Sequence, residues 1–316
     1  MSVQVSKNDT GFIKILFLLF MLGATSSLFG CSDRAMKRYD GVQLSEQKIL
    51  NGAEVTDQNP ISKKVLFLAT GAKLLKTPSG GSTASQSGQC TASAITNKII
   101  LTAAHCVKAL DPKDDQTPDS IFIILGLKPW KSKFDPKLWY AAEKIVTYPT
   151  YKKNVTGGAP DDLALIVLKN PLPPEYVTEL AVVSDLQSTM AFTMAGFGMR
   201  SNLNALSDAD TKKNLGELFQ ITKMISNYDI NQFTIRIDQH DEKGICSGDS
   251  GGPGMIFNPT TKKYSTIGIV SGNSWDIADK DKLDPKNKID CFGFAIYTNV
   301  MNPVYFDWIQ KTKQSL

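Results

Sequence analysis

An all-β fold, a barrel or a sandwich, is predicted by three features of the chain. Short runs rich in Val, Ile, Thr and aromatic residues recur along it, turn-rich stretches separate them, and no series of long helical patterns alternates with them. The last feature argues against a parallel α/β sheet, whose crossovers need helices. In order, the predicted strand regions are KKVLFLAT (63–70), SAITNKIILTA (93–103), SIFIILG (120–126) and DLALIVL (162–168). They continue with AFTMAGFG (191–198), NQFTIRI (231–237), YSTIGIVSG (264–272) and FGFAIYTNV (292–300). The tail NPVYFDWIQKTKQ (302–314) reads instead as an amphipathic helix, with Pro303 in its first turn and Tyr305, Phe306, Trp308 and Ile309 as packing residues. GGSTASQSGQ (80–89) reads as a mobile surface loop, and 111–120 and 276–290 as polar excursions between strands.

The chain has 316 residues, 42% of them hydrophobic and 21% charged, which excludes a disordered or collagen-like polymer. Its 35 basic and 31 acidic residues leave a net charge of +4 without a basic stripe, so no nucleic-acid partner is expected. Two histidines exclude a histidine-rich metal site and leave any imidazole chemistry to His105 or His240. His240, in DQHDEK, reads as a solvated loop residue.

Residues 15–29, ILFLLFMLGATSSLF, follow Lys7 and Lys14 and read as a secretory signal, being short for a spanning helix. The segment ends Leu28-Phe29-Gly30-Cys31, which resembles a bacterial lipobox. That resemblance implies lipidation of Cys31 and a tether of acyl chains, on the periplasmic face of an outer membrane. An uncleaved anchor and an ordinary cleaved signal are the alternatives. Cys90, Cys106, Cys246 and Cys291 remain, an even number that in an exported chain predicts two disulfides, with three pairings open on counting alone.

Three segments carry chemistry: LTAAHC (101–106), DDLALIVL beginning at Asp161, and CSGDSGGP (246–253). A serine hydroxyl is a poor nucleophile until a base such as imidazole takes its proton, and a carboxylate can hold that imidazole's tautomer and stabilise the imidazolium formed. In this order the segments resemble the chymotrypsin/trypsin family of serine endopeptidases, from Ile49 to the end of the chain. The resemblance implies two antiparallel six-stranded β-barrels with the active site in their cleft, and a C-terminal helix. It assigns His105 as base, Asp162 as its orienting acid and Ser250 as nucleophile, with the amides of Gly248 and Ser250 as oxyanion hole. Asp161 is the rival acid; the family pattern selects Asp162, which immediately precedes the apolar run. A monomer acting on protein or peptide substrates without metal or organic cofactor is implied. A non-catalytic binding protein on the same fold is the alternative.

Family positions further imply the disulfides Cys90–Cys106 and Cys246–Cys291, and activation by cleavage between Lys48 and Ile49. The new α-amine of Ile49 would pair with Asp249. The expected organisation is a signal peptide (1–30), an anchor cysteine and propeptide (31–48) and a protease domain (49–316), so that activation would release the domain from Cys31 into the periplasm or the medium. Trypsin-like members carry an aspartate at the pocket base, where Gly244 stands here, followed by Ile245. Ser271 matches the serine that accompanies the triad, Gly272 replaces the tryptophan after it, and Asn273 and Ala295 take the pocket walls. A small or apolar side chain before the scissile bond is therefore expected, and a separate protease would be needed to cut after Lys48.

Overall fold

The computed structural model describes residues 51–76, 82–108, 113, 115–129, 134–152, 160–187, 189–200, 215–226, 229–274 and 291–316. The signal, Cys31, Lys48, Ile49 and the 276–290 excursion lie outside the described residues. The first half carries β1 (Ala53–Glu54), β2 (Leu66–Thr70), β3 (Lys73–Lys76), β4 (Ser82–Ser85), β5 (Gly88–Ala94) and β6 (Ile99–Thr102). It continues with β7 (Phe122–Ile124), β8 (Trp139–Thr147) and β9 (Ala164–Leu168). The second half carries β10 (Glu179–Leu180), β11 (Thr189–Gly196), β12 (Phe219–Ser226) and β13 (Thr234–Asp238). It ends with β14 (Pro253–Asn258), β15 (Lys263–Ser274), β16 (Phe294–Asn299) and the helix α1 (Pro303–Ser315).

Strands β2-β5-β6-β9-β8-β7 close into an antiparallel barrel. The unbroken apolar run of β2 follows from burial on both faces. Leu66 and Leu68 enter the barrel core with Ile100, Leu101, Leu165 and Ile166. Phe67 and Ala69 point the other way, into a second core shared with Ala195, Phe197 and Met255 from the other half. The rings of Phe67 and Phe197 meet edge to face at 5.4 Å, so this one strand joins both halves. Each such side chain contributes about 1.5–3 kcal/mol on full burial.

The other half is an open sheet in the order β1-β12-β11-β14-β15-β16-β13, with β10 parallel to β15. The fold class is the one expected, but this half is a half-barrel and not a second closed cylinder. The physical reason lies at the seam. No backbone ladder joins β12 and β13 among the described residues. Instead, Lys223 of β12 donates from Nζ to the Asp238 carbonyl at the end of β13, and to Asp241 Oδ1 at 2.7 Å.

Two further expectations are corrected. The described part of the 80–89 stretch, 82–89, is not a free loop: β3 and β4 pair antiparallel with Leu74 opposite Ala84 and Leu75 opposite Thr83, and Gly88 and Gln89 already belong to β5. His240 is half-buried rather than solvated, with Nδ1 2.6 Å from Asp238 Oδ1 and its ring against Phe292 and Phe294. The helix forms as predicted. Asn302 caps it by accepting from Val304 N at 2.8 Å, Pro303 opens it, and Tyr305 and Ile309 are buried on the first barrel. Among the described residues no helix is long and apolar enough to cross a membrane.

Candidate active site

The register of the first barrel sets the imidazole and carboxylate together. Strand β6 pairs with β9, Thr102 opposite Ala164, so the turn after β6 and the residues before β9 emerge side by side. That turn is a short 3-10 segment, Ala104–Cys106, carrying His105. The Cys90–Cys106 disulfide ties it to β5, with Cα atoms 6.2 Å apart. Asp162 is 1% exposed. Its Oδ2 lies 2.7 Å from His105 Nδ1 and accepts from Ser271 Oγ at 2.6 Å, while Oδ1 accepts from the His105 backbone N–H at 2.9 Å. Three hydrogen bonds compensate a carboxylate that burial would otherwise penalise. A proton on Nδ1 leaves Nε2 as the ring's acceptor.

Asp161 has a different task. It takes a left-handed backbone, φ 63°. Its carboxylate accepts from the Tyr305 hydroxyl at 2.8 Å and from Thr150 Oγ1 at 2.6 Å. The acid neighbouring Asp162 is thus tied to α1 and to the turn after β8, which anchors the loop presenting Asp162.

The 246–253 turn is held on the first barrel by Thr91. Its N–H donates to Ser250 O at 2.8 Å, and its hydroxyl donates to Gly248 O at 2.9 Å. Cys106 Sγ lies 3.6 Å from the same Ser250 carbonyl, so Ser250 sits beside the residue that follows His105. Gly251 N donates to Val270 O and Val270 N to Gly252 O, fixing the other flank to β15 just before Ser271. Glycine is required at two points. Gly248 has φ 98°, and a Cβ there would lie 2.8 Å from Gln89 Nε2. Gly251 has φ 76°, and its Cβ would lie 2.0 Å from Thr102 Oγ1. Thr91 and Gln89 carry no motif of their own and are missed by sequence reasoning; their position one residue to either side of Cys90 is the signal that could have found them.

Asp249 is buried directly behind this turn. Gly198 N donates to its Oδ1 at 2.7 Å and Cys246 N to its Oδ2 at 2.8 Å. Burial pushes its pKa up to about 7, with those two amides pulling the other way. Where the described residues begin, Asn51 Nδ2 donates to Glu242 O at 2.9 Å, and β1 pairs with β12.

Ile245 and Gly244 are buried ahead of Cys246, which is bonded to Cys291. Across from them, Asn273 of β15 pairs with Ala295 of β16. Gly244, Ile245, Ser271, Asn273 and Ala295 thus fall on elements that the Cys246–Cys291 bridge and the β15–β16 pairing hold together.

An imidazole oriented by a buried carboxylate, with a glycine-rich serine turn bonded to the same barrel and facing a half-barrel, is the arrangement of trypsin-fold serine proteases. The chain belongs to the trypsin family, whose match covers residues 75–308. Among its curated relatives is Venom serine protease 34 of Apis mellifera, 27% identical over 198 residues, 58% of this chain and 45% of the relative. Mannan-binding lectin serine protease 1 of Homo sapiens is 24% identical over 237 residues, 70% of this chain and 31% of the relative. Brachyurin of Leptuca pugilator is 26% identical over 194 residues, 58% of this chain and 77% of the relative. The chain thus spans less than half the length of the first two.

Proposed function

We propose that the chain is a serine endopeptidase that hydrolyses peptide bonds through His105, Asp162 and Ser250. The observation that carries this reading is the buried Asp162 carboxylate, shared by the His105 ring, the His105 backbone N–H and the Ser271 hydroxyl. His105 Nε2 takes the proton from Ser250 Oγ as the oxygen attacks the substrate carbonyl. The carbonyl oxygen gathers negative charge, which the amides of Gly248 and Ser250 receive; each such donor contributes about 3 kcal/mol in the transition state. His105 then passes its proton to the departing amine, leaving Ser250 acylated. Water repeats the sequence, with His105 as base, and returns the free serine and the carboxylic acid product. The Asp162 carboxylate stabilises the imidazolium formed in each half.

The finer readings belong to the same proposal. Cleavage between Lys48 and Ile49 by another protease frees an α-amine that folds inward onto Asp249. The buried acid and the docking of Asn51 on Glu242 and of β1 on β12 support it. The protein is exported, which fits its two disulfides, and one relative is named a venom protease. Cys31 carries the lipid anchor and activation detaches a monomeric catalytic domain. The pocket is neutral and takes a small or apolar side chain.

The test is to process the chain before Ile49 and profile it on a peptide library beside Ser250→Ala. Cleavage lost in that variant is expected. Absence of any Ser250-dependent cleavage would leave a binding protein on a protease fold. Fractionation of the processed form tests release, and a membrane-bound catalytic domain would refute it.

A further inference from the structure

The space beside Gly244 is filled by a residue outside all three motifs. An ideal Cβ on Gly244 would lie 1.9 Å from Gln239 Oε1 and 2.7 Å from Gln239 Cδ. The Gln239 amide therefore occupies the space that a side chain at the base position would need. Gln239 is fully buried and its amide is locked at both ends. Oε1 accepts from Ile245 N at 3.0 Å, and Nε2 donates to Ile245 O at 3.3 Å. Its backbone N–H donates to Gly293 O at 2.9 Å, one step beyond the β13–β16 ladder in which Ile237 faces Ala295 and Asp238 faces Phe294. Gln239 is thereby wedged between the Gly244–Cys246 segment and the strand carrying Ala295.

We propose that Gln239 is the specificity-determining residue of this pocket: its amide is a neutral plug that shortens the pocket from beneath and selects a small, uncharged side chain before the scissile bond. The proposal rests on the protease reading above. Two physical effects act together. The amide cannot swing aside without leaving the buried N–H and C=O of Ile245 unpaired. Gly244 brings no carboxylate to the base position, and burying a lysine or arginine there unpaired is unfavourable.

The experiment compares the processed chain with Gln239→Ala, Gly244→Asp and the double variant, on peptides differing only in Ala, Val, Leu, Phe or Lys before the scissile bond. The wild type should prefer Ala and Val. Gln239→Ala should move the kcat/KM ratio toward Leu or Phe by about tenfold or more, the scale of one or two methylenes in a closed pocket. Should Gln239→Ala not fold, Gln239→Glu keeps the shape and should raise Lys over Ala by about the same factor. Gly244→Asp should lower the melting temperature, and the double variant should recover it and cleave after Lys. A Gln239→Ala or Gln239→Glu protein with the wild-type ratio, or melting losses that simply add in the double variant, would overturn the proposal. If the wild type shows no Ser250-dependent cleavage, the protease reading falls, and the melting cycle alone decides whether Gln239 holds the base.

Discussion

Asp249 makes the stability of the uncleaved chain fall as pH rises. Its carboxylate is buried and bonded to two backbone amides, and among the described residues no basic side chain offsets its charge. Burial raises its pKa from 3.8 to about 7. Because the folded value is the higher one, the native state holds a proton that the unfolded chain has released throughout that window. The stability this proton confers is therefore complete below about pH 4, declines as pH rises, and is lost above about pH 7. With each pH unit worth about 1.4 kcal/mol, the window corresponds to about 4 kcal/mol, a large fraction of the 5–15 kcal/mol typical of a whole domain. The assay is urea unfolding across about pH 4 to 8 of a Lys48→Gln chain, which resists processing, with and without Asp249→Asn. The asparagine variant, left with one side-chain acceptor for two amide donors, carries an offset independent of pH, so the decline belongs to the difference between the two curves. In the processed chain the Ile49 α-amine should abolish the decline. Parallel curves for aspartate and asparagine would refute the reasoning.

Three other outcomes follow from the site. Ser271→Ala removes a hydrogen bond to a buried carboxylate, worth about 1.5–3 kcal/mol, and should lower kcat/KM by about tenfold or more in steady-state assays with the fold intact by circular dichroism. Thr91→Val keeps the volume but leaves Gly248 O and Phe197 N without the hydroxyl; it should cost about 1–3 kcal/mol in chemical denaturation and lower kcat, whereas Thr91→Ser should retain both. Replacing Cys90 and Cys106 together with serine opens a link of 16 residues and should cost about 3 kcal/mol, seen as a lower urea midpoint.

Legibility along the chain tracked how local the cause was. Strands β2 and β9 are readable because burial on both faces leaves apolar residues at every position but Thr70. Strands β8 and β12 are not: WYAAEKIVT and FQITKMIS mix buried and exposed positions without a clean period, and β8 breaks register at Ala142/Lys144. NQFTIRI reads as one strand, but Asn231 Oδ1 accepts from Phe233 N and Thr234 N, so the strand begins only at Thr234. The composition of β4, Ser, Thr and Ala beside glycines, signals a loop, whereas pairing opposite Lys73–Lys76 makes it a strand.

The sequence by itself determined the chemical groups and their order: His105, Asp162, Ser250, the glycines that let their turn close, and the set Cys90, Cys106, Cys246 and Cys291. Those are properties of a few adjacent residues, written where they act. Only the tertiary structure decided what holds them. Thr91 reaches Gly248 across 157 positions, Ser271 reaches Asp162 across 109, and Tyr305 reaches Asp161 across 144. Gln239 is near Gly244 in sequence, yet its place against Gly244 comes from the β13–β16 ladder that carries it inward. Likewise, Lys223 spans the seam of the half-barrel because the strands around it bring β12 and β13 to facing edges. Such contacts leave no periodicity and no motif, because strand register sets each partner, and register is a property of the whole sheet.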